Sequence, residues 1–190
     1  QRTFLNGQVF SEDRRIEQDF TYVLPSMAWN YNFNASRRLD FRYTTSIQEP
    51  SIEQLQPVVD NSNPLIIYQG NAELRPEYIH RVDLGLFSFD AFSSISVMTR
   101  LEGVYTQNSI TTGRSIDSLF RQVLQPINVD DALRLSAYGS FSAPIKPLKS
   151  RFNLDANLIY NRSFLLINGV EDTNRRFQSS IDLSLENNNT

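Results

Sequence analysis

The chain has 190 residues, enough for one domain with a sizeable core, and a formal net charge of −3 with no basic cluster, which argues against a nucleic-acid surface. It has no cysteine and a single histidine, His80, which excludes disulfides and thiolate metal sites and removes most metal and triad chemistries. No apolar run approaches the ~20 residues of a membrane helix.

Residues 1–19 are mixed, strongly charged from Ser11 to Asp19, and read as a strand end plus loop. From Val23 a period of two sets in: Val23, Pro25, Met27, Trp29, Tyr31 and Phe33 alternate with small or polar residues, which predicts a strand. NASRR at 34–38 reads as a five-residue turn into Leu39, Phe41, Tyr43 and Thr45, which alternate with Asp40, Arg42, Thr44 and Ser46. In that hairpin Phe33 should face Leu39, Tyr31 should face Phe41, and Trp29 should face Tyr43.

Residues 47–77 form a long connector that holds four of the eight prolines, Pro50, Pro57, Pro64 and Pro76. Each removes a backbone donor and fixes φ, so neither a helix nor a central strand is expected. Ile52, Leu55, Val58, Val59, Leu65, Ile66, Ile67, Tyr68 and Leu74 supply apolar surface that a solvated linker would not keep. An ordered loop folded back over the strand ends is expected.

Beyond it, Val82, Leu84 and Leu86 alternate with Arg81, Asp83 and Gly85, and a DAFS turn leads to Ile95, Val97, Thr99, Leu101 and Tyr105. The register that opposes Asp83 to Arg100 and Arg81 to Glu102 avoids like-charge contacts, so a quartet of Arg81, Asp83, Arg100 and Glu102 is expected on one polar face. A polar loop around TTGRS at 111–115 follows, and Pro126 marks a bulge. Leu133, Leu135, Ala137, Gly139 and Phe141, then Phe152, Leu154, Ala156, Leu158 and Tyr160, then Phe177, Ile181, Leu183 and Leu185 give three more alternating runs. The pattern predicts about seven strands and no helix.

Such alternation fits a soluble antiparallel β-sandwich, acting as a binding or adhesion module, or an outer-membrane barrel with lipid outside and a wet lumen. Short connections (34–38, 90–93, 144–149) alternate with long or polar ones (47–77, 106–118, 163–174), and aromatics gather beside the short turns, at Trp29, Tyr31, Phe33 and Phe41 and at Phe141 and Phe152. Polar faces carry Asp, Arg and Asn in mid-strand. All three features favour the barrel, with a lipid-facing band of Trp29, Leu84, Leu101, Leu135, Leu154 and Leu183.

YVLPSMAWNYNF at 22–33 and LDFRYTTSIQEPSIEQLQPVVDNSNPLIIYQGNAELRPEYIHRVDLGL at 39–86 resemble the barrel of TonB-dependent outer-membrane receptors, particularly the Bacteroidota outer-membrane β-barrel family. QPINVDDALRLSAYGSFSAPIKPLKS and Ile167-Asn168-Gly169 are similar to later parts of that pattern, so the likeness covers 20–186. It implies an all-β, antiparallel up-and-down meander within a larger barrel in the Gram-negative outer membrane. The implied function is nutrient import, with wall, lumen lining and outer loops supplied by this stretch. The implied partners are outer-membrane lipid, a plug domain, TonB and a small nutrient ligand, and the resemblance admits a surface lipoprotein.

No plug, TonB box or signal peptide is recognisable within 1–190, and LENNNT consists of turn-forming residues after a strand-like run, so a partial barrel domain cut from a longer protein is expected. Tyr68, Asn71 and Arg75 are candidates to contact ligand at the rim, set against a purely packing role. Glu49, Glu53 and Asp60 read as solvated loop acids, Asp130 and Asp131 lack further calcium ligands, and Ser51 and Ser62 lack a triad partner. No catalytic residue, cofactor or metal is expected, which sets aside a surface β-barrel hydrolase.

Overall fold

The computed structural model describes residues 2–9, 14–57, 59–63 and 65–187, with side chains described outside 2–21 and 59–62. Val58 and Pro64, and the side chains of Val59, Asp60 and Ser62, lie outside the described residues. In chain order the elements are β1 (Arg2–Val9), β2 (Arg14–Thr21), β3 (Ser26–Asn34), β4 (Arg37–Gln48), α1 (Ile52–Leu55), β5 (Val59–Asn63), β6 (Ile66–Gln69), β7 (Glu77–Asp90), β8 (Ile95–Gln107), β9 (Ile110–Ile116), β10 (Gln122–Asn128), β11 (Ala132–Ile145), β12 (Ser150–Ile167) and β13 (Val170–Asn187).

Seven long strands, β3-β4-β7-β8-β11-β12-β13, pair as an antiparallel meander. The register keeps every apolar set on one face: Trp29, Phe41, Leu84, Leu101, Ala137 and Leu158 form a single cross-strand row. Trp29 (48%), Leu101 (42%) and Leu183 (64%) remain exposed there. The other sheet among the described residues is only the two-stranded β1–β2, and this exposure leaves the apolar face without the second layer that a sandwich needs. Such a face suits lipid in place of water, provided the free edges at β3 and β13 are paired within a closed barrel. The opposite face carries Arg38, Asp40, Arg42, Arg81, Asp83, Arg100, Glu102, Tyr138, Asp155 and Asp182.

Several expectations are corrected. Residues 2–9 and 14–21 pair antiparallel as β1 and β2, where a strand end and loop were read; backbone pairing needs no apolar periodicity. The 47–77 connector contains a helical turn and two short strands fitted between its prolines. Ser51 and Gln54 close a capping box around α1, with Gln54 Oε1 accepting from the Ser51 N–H at 2.8 Å. Pro126 lies within β10 without a register shift, and β6 pairs with β10 only from Gln122 to Leu124, so no ladder donor is missed at Pro126. The 163–174 segment is not a long loop: β12 and β13 run up to a two-residue Asn168-Gly169 turn, both residues at positive φ, as an Asn-Gly hairpin requires.

Both early hairpins keep their predicted faces but are displaced by two residues. In the first, Asn34 Oδ1 accepts from the Ser36 N–H at 2.9 Å, tightening the turn to Ala35-Ser36 and bulging Phe33, so Trp29 faces Phe41 and Tyr31 faces Leu39. In the second, Asp90 accepts from the Phe92 N–H at 3.0 Å and from the Ser93 hydroxyl at 2.7 Å, and Ser94 adopts φ 55°. That turn sets Asp83 opposite Glu102 and Gly85 opposite Arg100. A surface charge pair contributes about 0.2–1 kcal/mol, too little to override a turn held by two Asp90 hydrogen bonds.

The buried core sits above the wall. Leu55 (2%), Leu74 (1%) and Ile67 (8%), with Pro50, Pro76 and Pro126, are buried in a cap at the end where the long connections lie.

Candidate functional site

The cap is one small sheet built from two connectors. β9-β10-β6-β5 run side by side, with β10 and β6 parallel, and the tip of β12 joins them where Ile167 meets Arg114. Parallel pairing brings Ile67 of the first connector beside Val123 of the second. The turn around α1 packs against Gly70, where an added Cβ would lie 1.9 Å from the Gln56 carbonyl oxygen, so only glycine fits.

Hydrogen bonds fasten the cap to the strand ends. Asn71 donates from Nδ2 to the Pro126 carbonyl at 3.1 Å, accepts at Oδ1 from the Glu73 N–H at 2.9 Å, and donates its backbone N–H to the Gln54 carbonyl at 2.7 Å. Asn128 Oδ1 accepts from the Arg75 N–H, while its Nδ2 donates to the carbonyls of Arg75 and Asn108. Glu77 accepts from the Ile110 N–H at 2.6 Å and from the Ser109 hydroxyl at 3.3 Å. These residues stand where the wall strands begin, so the cap is tied to the barrel mouth.

The three rim candidates therefore differ. Asn71 uses both ends of its side chain inside the cap. Arg75 is held through its backbone, and its side chain is exposed. Tyr68 is half-buried on β6; burial pushes its hydroxyl above the usual pKa, and the Glu53 carboxylate adds to that, so it stays a neutral donor across physiological pH. Ile52, Leu65, Ile66, Leu119 and Phe120 are exposed on the cap, so its apolar residues are buried only in part.

On the polar face, Arg81 reaches diagonally to Glu102 at 2.6 Å, and Arg38 meets Asp40 at 3.5 Å. Arg42 is directly opposite Asp83, which therefore lies between a cation and the Glu102 carboxylate. All four members of the expected quartet share this face, but only Arg81 and Glu102 form an ion pair. Further along, Tyr138 donates to Asp155 at 2.8 Å, and Ser142, Asn153 and Ser184 link three strands.

Sequence reading missed the upper aromatic ring. Tyr43 and His80 hydrogen-bond at 2.8 Å, and Tyr78 and Tyr105 lie 4.8 and 5.8 Å from the His80 ring, all on the apolar face at its outer edge. The signal was available as aromatic residues at face positions below the long connectors. Trp29 and Tyr31 (5.8 Å) and Phe141 and Phe152 (6.4 Å) form the matching cluster near the short turns. Among the described residues no group of three metal-binding side chains converges.

Two faces of opposite character, two aromatic rings, and long connections confined to one end of the strands define a stretch of transmembrane β-barrel wall. The chain belongs to the outer membrane protein beta-barrel family, which matches residues 2–190, and its place is the outer membrane. Comparison with curated proteins found no match. Among solved structures, its fold is similar to that of a mutant of the ferric enterobactin receptor PfeA from Pseudomonas aeruginosa in complex with enterobactin, at 11% identity and a TM-score of 0.51 over 86% of this chain and 28% of that one. It is similar also to the ferric enterobactin receptor PfeA in complex with BCV-L6, at 10% identity and a TM-score of 0.50 over 88% and 32%, and to the siderophore receptor PirA from Acinetobacter baumannii, at 13% and 0.49 over 88% and 34%. The chain spans about a third of the length of these receptors.

Proposed function

We propose that this chain is part of the transmembrane barrel of a TonB-dependent receptor that imports a small nutrient across the outer membrane, supplying wall, lumen lining and outer loops. The supporting observation is the cap: among the described residues the buried apolar side chains, Leu55, Ile67 and Leu74, and a cluster of side-chain-to-backbone hydrogen bonds lie in the connectors above the strands, where an incoming solute would be met. A wall needs no such core, whereas a binding mouth needs a preorganised one. Tyr68 and the Arg75 side chain supply a neutral donor and a cation at that mouth. Arg81, Asp83, Arg100 and Glu102 line the lumen below, where a plug domain coupled to TonB would sit.

The test removes 51–70 from the full-length receptor and follows uptake of ferric enterobactin, a corrinoid and a maltooligosaccharide in separate assays, each with and without TonB. At least one solute should be taken up by the intact receptor in a TonB-dependent way and lost on deletion, with the barrel still inserted. Uptake indifferent to both TonB and the cap would overturn the proposal.

A further inference from the structure

The geometry points to a binding site for a phosphorylated lipid of the outer leaflet on the outside of the wall, with phosphate on Arg162 and Arg175 and an acyl chain in the groove beneath them. This goes beyond the transport reading and does not depend on the imported solute. It does use the orientation that puts the long connectors outside.

Arg162 and Arg175 are directly opposite each other on β12 and β13. Both belong to the lipid-facing set, continuing the row His80, Tyr105 and Leu133. Below them each strand is apolar on this face: Tyr160, Leu158, Ala156, Leu154 and Phe152 on β12, and Phe177, Ile181, Leu183 and Leu185, interrupted by Ser179, on β13. From Phe152 up to Arg162 the strand climbs about 25 Å along the membrane normal, at ~3.3 Å per residue and a tilt near ~40°, which is the height of a barrel's apolar band. The arginine pair thus stands where hydrocarbon ends and headgroups begin.

Like charges directly across a strand pair repel, and no carboxylate among the described residues pairs with these two. Neither forms an ion pair among the described residues, and Arg162 Nε is buried without a hydrogen-bond partner. Its guanidinium is held over the Phe164 ring, 6.0 Å from the centroid, rather than against a carboxylate. The neighbouring acid, Asp131, accepts from the Tyr105 hydroxyl and forms no ion pair with either arginine. Two guanidiniums side by side without an ion pair present a fork of donors that fits a phosphate monoester.

The groove supplies the second half of the site. A hollow of about 620 Å³ lies on the same face immediately below, lined by Leu135, Leu158 and Phe177, with its floor lowered by Gly103 and Ala137. Its walls are almost wholly apolar, with His80 and Tyr105 at the upper edge, so it accepts a hydrocarbon chain and suits a soluble anion poorly. Charge above and groove below therefore select a lipid over free phosphate.

The experiment uses the full-length receptor in nanodiscs of zwitterionic phospholipid containing a minor fraction of bisphosphorylated lipid A, with bound lipid counted by native mass spectrometry. R162Q/R175Q should lower lipid A retention by about tenfold or more, R162K/R175K should keep most of it, and A137W should lower it by filling the groove. Dephosphorylated lipid A should bind the intact receptor as weakly as lipid A binds R162Q/R175Q, and inorganic phosphate should not displace it. Heat-modifiable migration of each variant confirms a folded barrel. Equal retention by the intact receptor and R162Q/R175Q, or displacement by inorganic phosphate alone, would overturn the site.

Discussion

The side chain of Asn128 grips the backbone of Arg75 at both ends, accepting from its N–H at 2.8 Å and donating to its carbonyl at 2.9 Å. One amide thereby imitates a neighbouring strand at the point where the first connector enters β7. N128A should leave that N–H and carbonyl without partners, and N128D should keep the first bond but set a carboxylate against the Arg75 and Asn108 carbonyls. Losing such a group costs about 1–3 kcal/mol. Hydrogen exchange at 70–77 in the membrane-inserted receptor should therefore accelerate in both variants, more in N128D; unchanged protection would show that the grip is dispensable.

Gly70 admits no side chain because the Gln56 carbonyl fills the space a Cβ would need. G70A should push the α1 turn away from β6 and expose Leu55, at a cost of roughly 2 kcal/mol or more, since backbone rather than a flexible side chain must give way. Limited proteolysis should then cut the 51–70 segment several-fold faster while the barrel stays inserted. A rate equal to that of the parent would contradict the packing described.

The absence of cysteine makes the β7–β8 register directly testable. D83C/E102C places two thiols directly opposite each other, whereas D83C/R100C places them two residues out of register. Mild oxidation should cross-link the first pair readily and the second poorly, because disulfide geometry needs Cβ atoms about 3.5–4.5 Å apart. The reverse result would restore the charge-matched register.

Asp117 organises the turn between β9 and β10. Its carboxylate accepts from the backbone N–H of Arg121 and Leu119 and from Arg121 Nε at 2.7 Å, and these bonds, led by the Arg121 N–H, hold its pKa below the ordinary carboxylate range. A depressed carboxylate stabilises above its unfolded pKa and loses that contribution as pH falls through the folded value. The 117–121 turn, with Phe120 at φ 58°, should therefore hold at neutral pH and loosen only below the usual carboxylate range. D117N should loosen it at every pH. Fluorescence of a probe attached at position 119 would report both, and a turn indifferent to acid and to D117N would remove Asp117 from this role.

How far the sequence carried depended on which forces set each feature. The wall was legible because period-two alternation records lipid on one side and water on the other, residue by residue, from Met27 to Leu185. Register was not, because Asn34 and Asp90 set it through local turn bonds whose strength exceeds that of the charges used to infer it. The cap's sheet was hidden behind the prolines: β6 pairs with β10, 56 residues away between Ile66 and Gln122, and no local pattern reports a partner that distant. Rim candidates were chosen for chemistry, yet Asn71 proved to be engaged within the cap, a contact that only the folded chain reveals.

Because β6 and β10 share one ladder, the two connectors cannot diversify separately. A residue inserted into 66–69 moves every side chain beyond it to the opposite face of the cap, and the second connector must then shift with it or lose the pairing. Loops vary more in sequence than the strands they connect. Here such change must come as matched pairs of alterations, at 59–69 and at 110–128, which would make these two segments travel together when related barrels exchange parts.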